Sequence, residues 1–432
     1  MSNWFLSDIR LVINSRTLRG FSNSGYRILW ASNFLSYFAR WMQVTVLGWF
    51  VLELTDSPLL VSLVGFFGWM PVFALGMYGG LLADISNRKI IILSTQASGF
   101  ISTFVMAILL LLGTDHFWYA YPLMLITGVA WALDMPSRRS AIHDLVGTPD
   151  VTNGVALDSA GMSAARMLGP ATAGLMISTV GFGLSYTFIT SVYLLATLLI
   201  SRFEMPTQSR DQSYRKGVLR DLLIGLRYVG SNQALLAVIL TTMVMNLLMF
   251  PYVNMIPVIS RDILYVGADL MGILQGSAGG GAVAGAIVVA SILNVRYHGR
   301  LFLIGSMVTM ITLLIFSFSS WYLLSFILLF VLGIGHSGFS TMQSTSVMLV
   351  SIPEMRGKAL GVVNLAIGSQ PFGALLIGLV AERMGPNSAI MLHSIVGALC
   401  LTLIGITLPS IWHTLQPDKL QSRKPENHYL HP

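Results

Sequence analysis

Long apolar runs separated by short polar joints set the pattern of this chain. They fall near residues 27–54, 58–83, 90–112, 118–138, 155–180, 182–203, 234–258, 268–294, 300–318, 321–350, 359–384 and 387–411. A hydrocarbon core about 30 Å thick needs roughly 20 apolar residues per helix. The pattern therefore predicts an all-α membrane protein with twelve spanning helices. The longest polar stretch, "RFEMPTQSRDQSYRKG", follows the sixth run. It divides the chain into a segment 1–26, a six-helix bundle 27–203, a linker 204–233, a second bundle 234–411 and a tail 412–432. The halves echo each other. Pro149-Asp150 returns as Pro353-Glu354, and Gly174 and Gly181 return as Gly378 and Gly385, at one constant spacing. Parallel pseudo-symmetric halves with a site between them are a transporter architecture. Within the linker, "VLRDLLIGLRYV" places Leu219, Leu222, Leu223 and Leu226 on one helical face, with Arg220, Asp221 and Arg227 opposite. That pattern suits a helix lying on the inner leaflet.

Charge gives the runs a direction. Only 10% of residues are charged and 54% are apolar, against roughly 25% charged in soluble proteins. Of the 25 Lys and Arg, all but four fall at the termini or in the joints on their side. Arg261 and Arg383 lie on the other side, and Arg40 and Arg166 lie within runs. The positive-inside rule then places both termini in the cytoplasm, for a multi-pass protein of a bacterial inner membrane. The same asymmetry accounts for the net charge of +7 without a nucleic-acid partner. The one cysteine, Cys400, cannot form an internal disulfide. Residues 1–25 carry Arg10, Arg16 and Arg19 but no short apolar core with a cleavage site, so no cleaved signal peptide is expected. No phosphate-binding loop, clustered metal ligands or catalytic constellation is present. An enzyme, a cofactor and ATP-driven transport are therefore not expected.

Ionisable groups inside a bilayer are expensive, so each is a functional candidate. Asn33, Ser36, Tyr37, Arg40 and Gln43 follow helical spacing and form a polar stripe on the first run. Arg40 sits about 20 Å from either end of that run. Arg166 is in the middle of the fifth run, and Asp158 lies two turns nearer the cytoplasm. Asp134 precedes Arg138 by four residues, a favourable pairing distance. That pair reads either as an architectural ion pair at the cytoplasmic mouth or as part of transport. Asp158 either borders the start of its run or carries a proton. Arg40 and Arg166 have no carboxylate at their own depth. This points to a cavity role and to anionic cargo, with Arg40 as first contact. In the second half Asn246, Gln275, His336 and Asn364 extend the cavity set. Asp158, Asp134 and His336 are the proton-coupling candidates, although His336 also reads as a neutral packing residue. Trp30, Tyr37, Trp41, Trp131 and Tyr252 suit a partly aromatic cargo.

A family resemblance joins these features. Gly80-x-x-x-Asp84-x-x-x-Arg88-Lys89 resembles the signature loop of the major facilitator superfamily, with Ile85 and Asn87 replacing an arginine and a glycine. "LELTDSPLLVSLVGFFGWMPV", "DMPSRRSAIHDLV", "RMLGPATAGL", "IGLRYV" and "EMRGKALGVVNL" resemble its bacterial exporter branch, which includes the enterobactin exporter and macrolide-efflux relatives. The resemblance implies a cytoplasmic latch made by Gly80, Asp84, Arg88, Lys89 and Arg138. A plain topology signal is the other reading of the loop. Gly169, Pro170 and Gly174 resemble the exporter-associated helix-bend motif, with Ala173 in place of a glycine. The sequence thus favours a secondary active transporter that works by alternating access. It would exchange protons for a small organic molecule, siderophore-, drug- or metabolite-like, and act as a monomer in the lipid bilayer. A uniporter or nutrient importer of the same fold, and a non-transporting receptor or assembly protein, are the alternatives.

Overall fold

The structure, a computed structural model, describes residues 18–203, 218–291 and 297–413, the side chains of 77–85, 218–219 and 290–291 apart. Among the described residues every regular element is helical. Helix α1 (Ser24–Thr55) begins where the Asn23 side chain accepts the amides of Gly25 and Tyr26, and ends at Asp56 in the left-handed region. Such an Asn satisfies amides that a helix start leaves bare. Helices α2 (Pro58–Ile85) and α3 (Arg88–Leu111) follow, the latter capped by Asn87. Helix α4 (Ala120–Ser201) is continuous by its hydrogen bonds but breaks at Gly147 (φ 73°) and Gly181 (φ 78°). It therefore falls into segments α4a (120–146), α4b (148–180) and α4c (182–201). Gly385, the repeat of Gly181, also has positive φ. A side chain at either position would be strained.

After the linker come α5 (Val218–Ser231), α6 (Gln233–Val244), α7 (Ile256–Asp262), α8 (Ala268–Ser291), α9 (His298–Phe316), α10 (Tyr322–Val350), α11 (Arg356–Ile367), α12 (Gln370–Met384) and α13 (Pro386–Thr407). Two stretches of this half are interrupted. Between α6 and α7 a π-turn (Met245–Met249) and a 3-10 turn (Phe250–Met255) carry the chain past Pro251. Between α11 and α12 the helix breaks at Gly368-Ser369, before Pro371. The two interruptions meet. A β-carbon on Gly373 would lie 2.1 Å from the Leu247 carbonyl oxygen and 2.7 Å from Pro251. Irregular turns inside helices mark hinges and functional sites more often than chance.

Nine stretches among the described residues are long and apolar enough to cross a membrane. One of them, Phe117–Ser201, contains both glycine breaks. Helix α1 has the length, at 32 residues, but its polar stripe makes it too polar to count among the nine. The surface fits a bilayer. Ile101, Phe104, Val105 and Ile108 on α3, and Leu399, Leu403 and Ile406 on α13, are exposed at helical spacing. Meanwhile Asn33, Arg40, Gln43, Asp134, Arg138 and Asp158 are buried. Apolar outside and polar inside reverses the soluble arrangement.

The α5 helix partly departs from its expected orientation. Gly225 packs on the Lys358 backbone and Val362, and Asp221 pairs with Lys358 at 3.2 Å. Leu222 and Tyr228 join the core, while Leu223 and Leu226 stay exposed. Of the expected apolar positions, Leu222 therefore packs on protein while Leu223 and Leu226 face the surroundings, and the Leu219 side chain lies outside the described residues. The reason is that α11 takes the face carrying the small Gly225.

Candidate functional site

Stretches 24–201 and 233–407 meet closely at the end of the helices opposite residues 24 and 407. A β-carbon on Gly174 of α4b would stand 2.2 Å from the Ala268 carbonyl oxygen of α8. One on Gly272 would stand 2.2 Å from the Pro170 carbonyl, one on Gly276 2.5 Å from that of Met167, and one on Gly279 2.7 Å from the Met167 amide. Only glycines permit two backbones to lie this close. Gly169 turns the other way, onto Trp41 and the Phe38 carbonyl of α1. The expected helix-bend motif is therefore a place where one helix touches both halves. Polar bridges follow the same end: Arg261 to Asp56 at 2.7 Å, Ser57 to Glu382 at 2.8 Å, and Thr45 to Gln275 at 3.0 Å.

Inside the first half lies a buried charged network. Arg138, only 1% exposed, donates to Asp134, to the Asn33 side-chain oxygen and, at 3.4 Å, to the Ser36 hydroxyl. Thr95 of α3 donates to Asp134 at 2.9 Å. The Asn33 amide donates to Asp158 at 2.7 Å, and the Tyr37 hydroxyl donates to the other Asp158 oxygen at 3.3 Å. Gln96 bonds Ser32 and Ser36. A small recess lined by Ser36, Arg40, Gln96, Trp131, Asp134 and Tyr193, among others, opens into the network. Burial strengthens such bonds and makes any unpaired member costly.

These contacts revise several sequence expectations. The Asp134–Arg138 pair forms, but deep in the bundle, since α4a continues to residue 146 instead of ending near 138. Arg138 is therefore committed to this network instead of lying free at a cytoplasmic latch. Asp158 does not border the start of its helix. It lies about 15 Å beyond Thr148 at 1.5 Å per residue, 9% exposed. Arg40 is not left uncompensated. It donates to the Thr127 carbonyl at 3.0 Å and the Gly68 carbonyl at 3.3 Å, and lies 4.5 Å from the Trp131 ring centre. Asn364 is exposed. Gly80 and Asp84 fall among side chains outside the described residues. Of the remaining loop residues, Arg88 pairs with Asp144, and Lys89 donates to the Ser201 carbonyl at 3.2 Å. Lys358 pairs with Asp221 of α5.

Arg166 occupies a different setting. Its guanidinium lies 5.3 Å from the Trp41 ring centre. His336 is buried, with its ring against Phe250 and Phe339. Asn246 donates to the Thr242 carbonyl. Gln43 is fully buried, and both polar atoms of its amide lack a partner. No group of three or more His, Cys, Asp or Glu capable of holding a metal occurs among the described residues.

Thr95, Gln96, Asp144 and Glu382 escaped the sequence reading. The first two are polar interruptions in an apolar run, a signal that was available. Asp144 lies past the point where the fourth run was taken to end.

A helical molecule with an apolar exterior and a charged interior is built as a multi-pass membrane protein. The family model described as transmembrane secretion effector matches residues 15–431. The chain belongs to this family, within the major facilitator superfamily. It is 22% identical to the staphyloferrin A transporter of Staphylococcus aureus over 388 residues, covering 88% of this chain and 94% of the relative. It is 21% identical to macrolide efflux protein A of Streptococcus pyogenes, over 87% of this chain and 94% of the relative. It is 24% identical to the enterobactin exporter EntS of Shigella flexneri, over 72% of this chain and 73% of the relative. Among solved structures, its fold is similar to a POT family transporter bound to a thioalcohol-conjugated peptide (TM-score 0.74, 10% identity, 90% and 96% coverage). It is also similar to a bacterial homologue of the lysosomal transporter Spinster in an inward-facing, occupied conformation (TM-score 0.69, 14% identity, 93% and 100% coverage). The family and these relatives are transporters, not enzymes.

Proposed function

We propose that this protein is a proton-driven exporter of a small organic molecule, working by alternating access. Counting α1, the three segments of α4 and the other spanning stretches gives twelve helices in two six-helix bundles. On this reading both basic ends lie in the cytoplasm, as the positive-inside rule favours, and the protein works as a monomer in a bacterial inner membrane. Contacts that bring the halves together at the opposite end then correspond to an inward-facing state.

One observation carries the coupling: the setting of Asp158. Asp134 is tied to a guanidinium, so protonating it breaks an ion pair. Asp158 is held by two neutral donors, Asn33 and Tyr37, and protonating it costs no direct ion pair. The helix that carries Asp158 also carries the Pro170–Gly174 contact with α8. A change of charge at Asp158 therefore acts on an element that touches both halves. His336, caged by Phe250 and Phe339, is the weaker candidate. Asp84 remains the proposed latch residue on the family resemblance alone.

The relatives' names suggest cargo to try first. Cells producing the protein are loaded with staphyloferrin A, a macrolide or enterobactin, and efflux is followed with and without a protonophore. Collapse of efflux by the protonophore, with ATP depletion at constant proton gradient having no effect, supports the reading. Efflux insensitive to the proton gradient favours a uniporter instead, and inward accumulation an importer.

A further inference from the structure

We infer that Arg166, with Trp41, forms a binding site for an anionic group of the cargo, at the contact between the two halves. This rests on the transporter reading above and adds the chemical class of the ligand. The first ground is charge. Arg166 is half-buried, and no carboxylate lies within 4.0 Å of it among the described residues. The two acids inside the first half are engaged elsewhere: Asp134 with Arg138 and Thr95, and Asp158 with Asn33 and Tyr37. Asp158 also sits about 12 Å back along the same helix. A partly desolvated cation needs compensation, and among the described residues the Arg166 guanidinium is met by the indole face of Trp41.

The second ground is contrast with Arg40. Arg40 is buried, and its guanidinium is held by two backbone carbonyls and two tryptophan faces within the first half. It keeps little capacity for a ligand, so the anion role expected of it passes to Arg166. A guanidinium presents five donors in a planar fork suited to carboxylate or phosphate, and the indole face of Trp41 does not engage that fork through hydrogen bonds.

The third ground is position. The backbone at Arg166 and Met167 packs directly on Gly279 of α8, in the second half. A ligand held there touches both halves. A ligand shifts a conformational equilibrium only through differential contacts in the two states, and this site supplies them. The aromatic surroundings add a preference for an anion attached to a flat apolar body.

The test is equilibrium binding, without any gradient, to purified protein. The probes are benzoate, 1-naphthoate and benzylphosphonate, each beside its neutral amide or ester. The wild type is expected to bind at least one anion tenfold or more tighter than its neutral partner. Arg166→Gln should abolish that preference while changing neutral binding less than twofold. Arg166→Lys should retain part of it, because the charge stays and the fork is lost. Arg40→Gln, provided it remains folded by thermal melt, should leave the preference intact. Three results would each overturn the inference: a preference that survives in Arg166→Gln, a preference lost in folded Arg40→Gln, or no saturable anion binding to folded wild type. Because no flux is measured, a failure here leaves the proton-driven reading standing, and a failure of that reading leaves this result intact.

Discussion

Arg138 donates to Asp134, Asn33 and Ser36 from a position almost closed to solvent. Removing one partner of a buried ion pair costs about 3–5 kcal/mol, because a charge is left without compensation. Asp134→Leu and Arg138→Leu should therefore each lower the detergent melting temperature sharply. The double variant Asp134→Leu/Arg138→Leu should recover part of the loss, since no lone charge remains. A double variant no more stable than either single one would show that the pair is not the source of the effect. At this scale the sequence was legible where partners are local. Asp134 and Arg138 are four residues apart, and helical geometry alone joins them. Asp158 with Asn33 was not legible, because the partners lie on different helices and their meeting depends on packing. Arg40 misled for another reason: the carbonyls of Gly68 and Thr127 compensate it, and backbone acceptors do not show in an inventory of side chains.

Helix α4b, which lies against α1 and α8 at once, owes both contacts to glycine. In Gly272→Val the new side chain would meet the Pro170 carbonyl, which forces α4b and α8 apart. With Cys400→Ser and Gln275→Cys as background, impermeant maleimide added outside intact cells should label Cys at 275 severalfold faster in Gly272→Val. Gly361→Val, where a β-carbon meets nothing within 4 Å, serves as the control and should leave labelling unchanged. Equal labelling in both variants would mean that this glycine contact does not seal the outer side. The helices themselves were well marked by apolar runs, and their ends were not. Runs four and five were cut near 138 and 155 because charges stop an apolar run. The helix continues through Asp144 to 146 and resumes at 148, since buried polar groups bond to each other instead of to water. The breaks at Gly181 and Gly385 were foreshadowed by their repeat spacing. Pro251 hinted at an irregular turn, but the π-turn before it left no local signature.

For the whole molecule, two features combine: tight closure of the halves at one end, and a charged network within one half. Two cations, Arg40 and Arg138, share the first-half interior with two acids, Asp134 and Asp158, so the charges balance when both acids are ionised. Protonating Asp158 unbalances them beside the helix that joins the halves. The account therefore makes Asp158 the group through which a proton gradient acts. Flux into inside-out membrane vesicles tests this most directly, using whichever relative's cargo the cells export. With an acidic lumen, wild-type vesicles should accumulate cargo well above the level reached without a gradient. Asp158→Asn should still exchange cargo across the membrane but show no response to the gradient. Gradient-driven accumulation that persists at the wild-type level in Asp158→Asn would contradict the account.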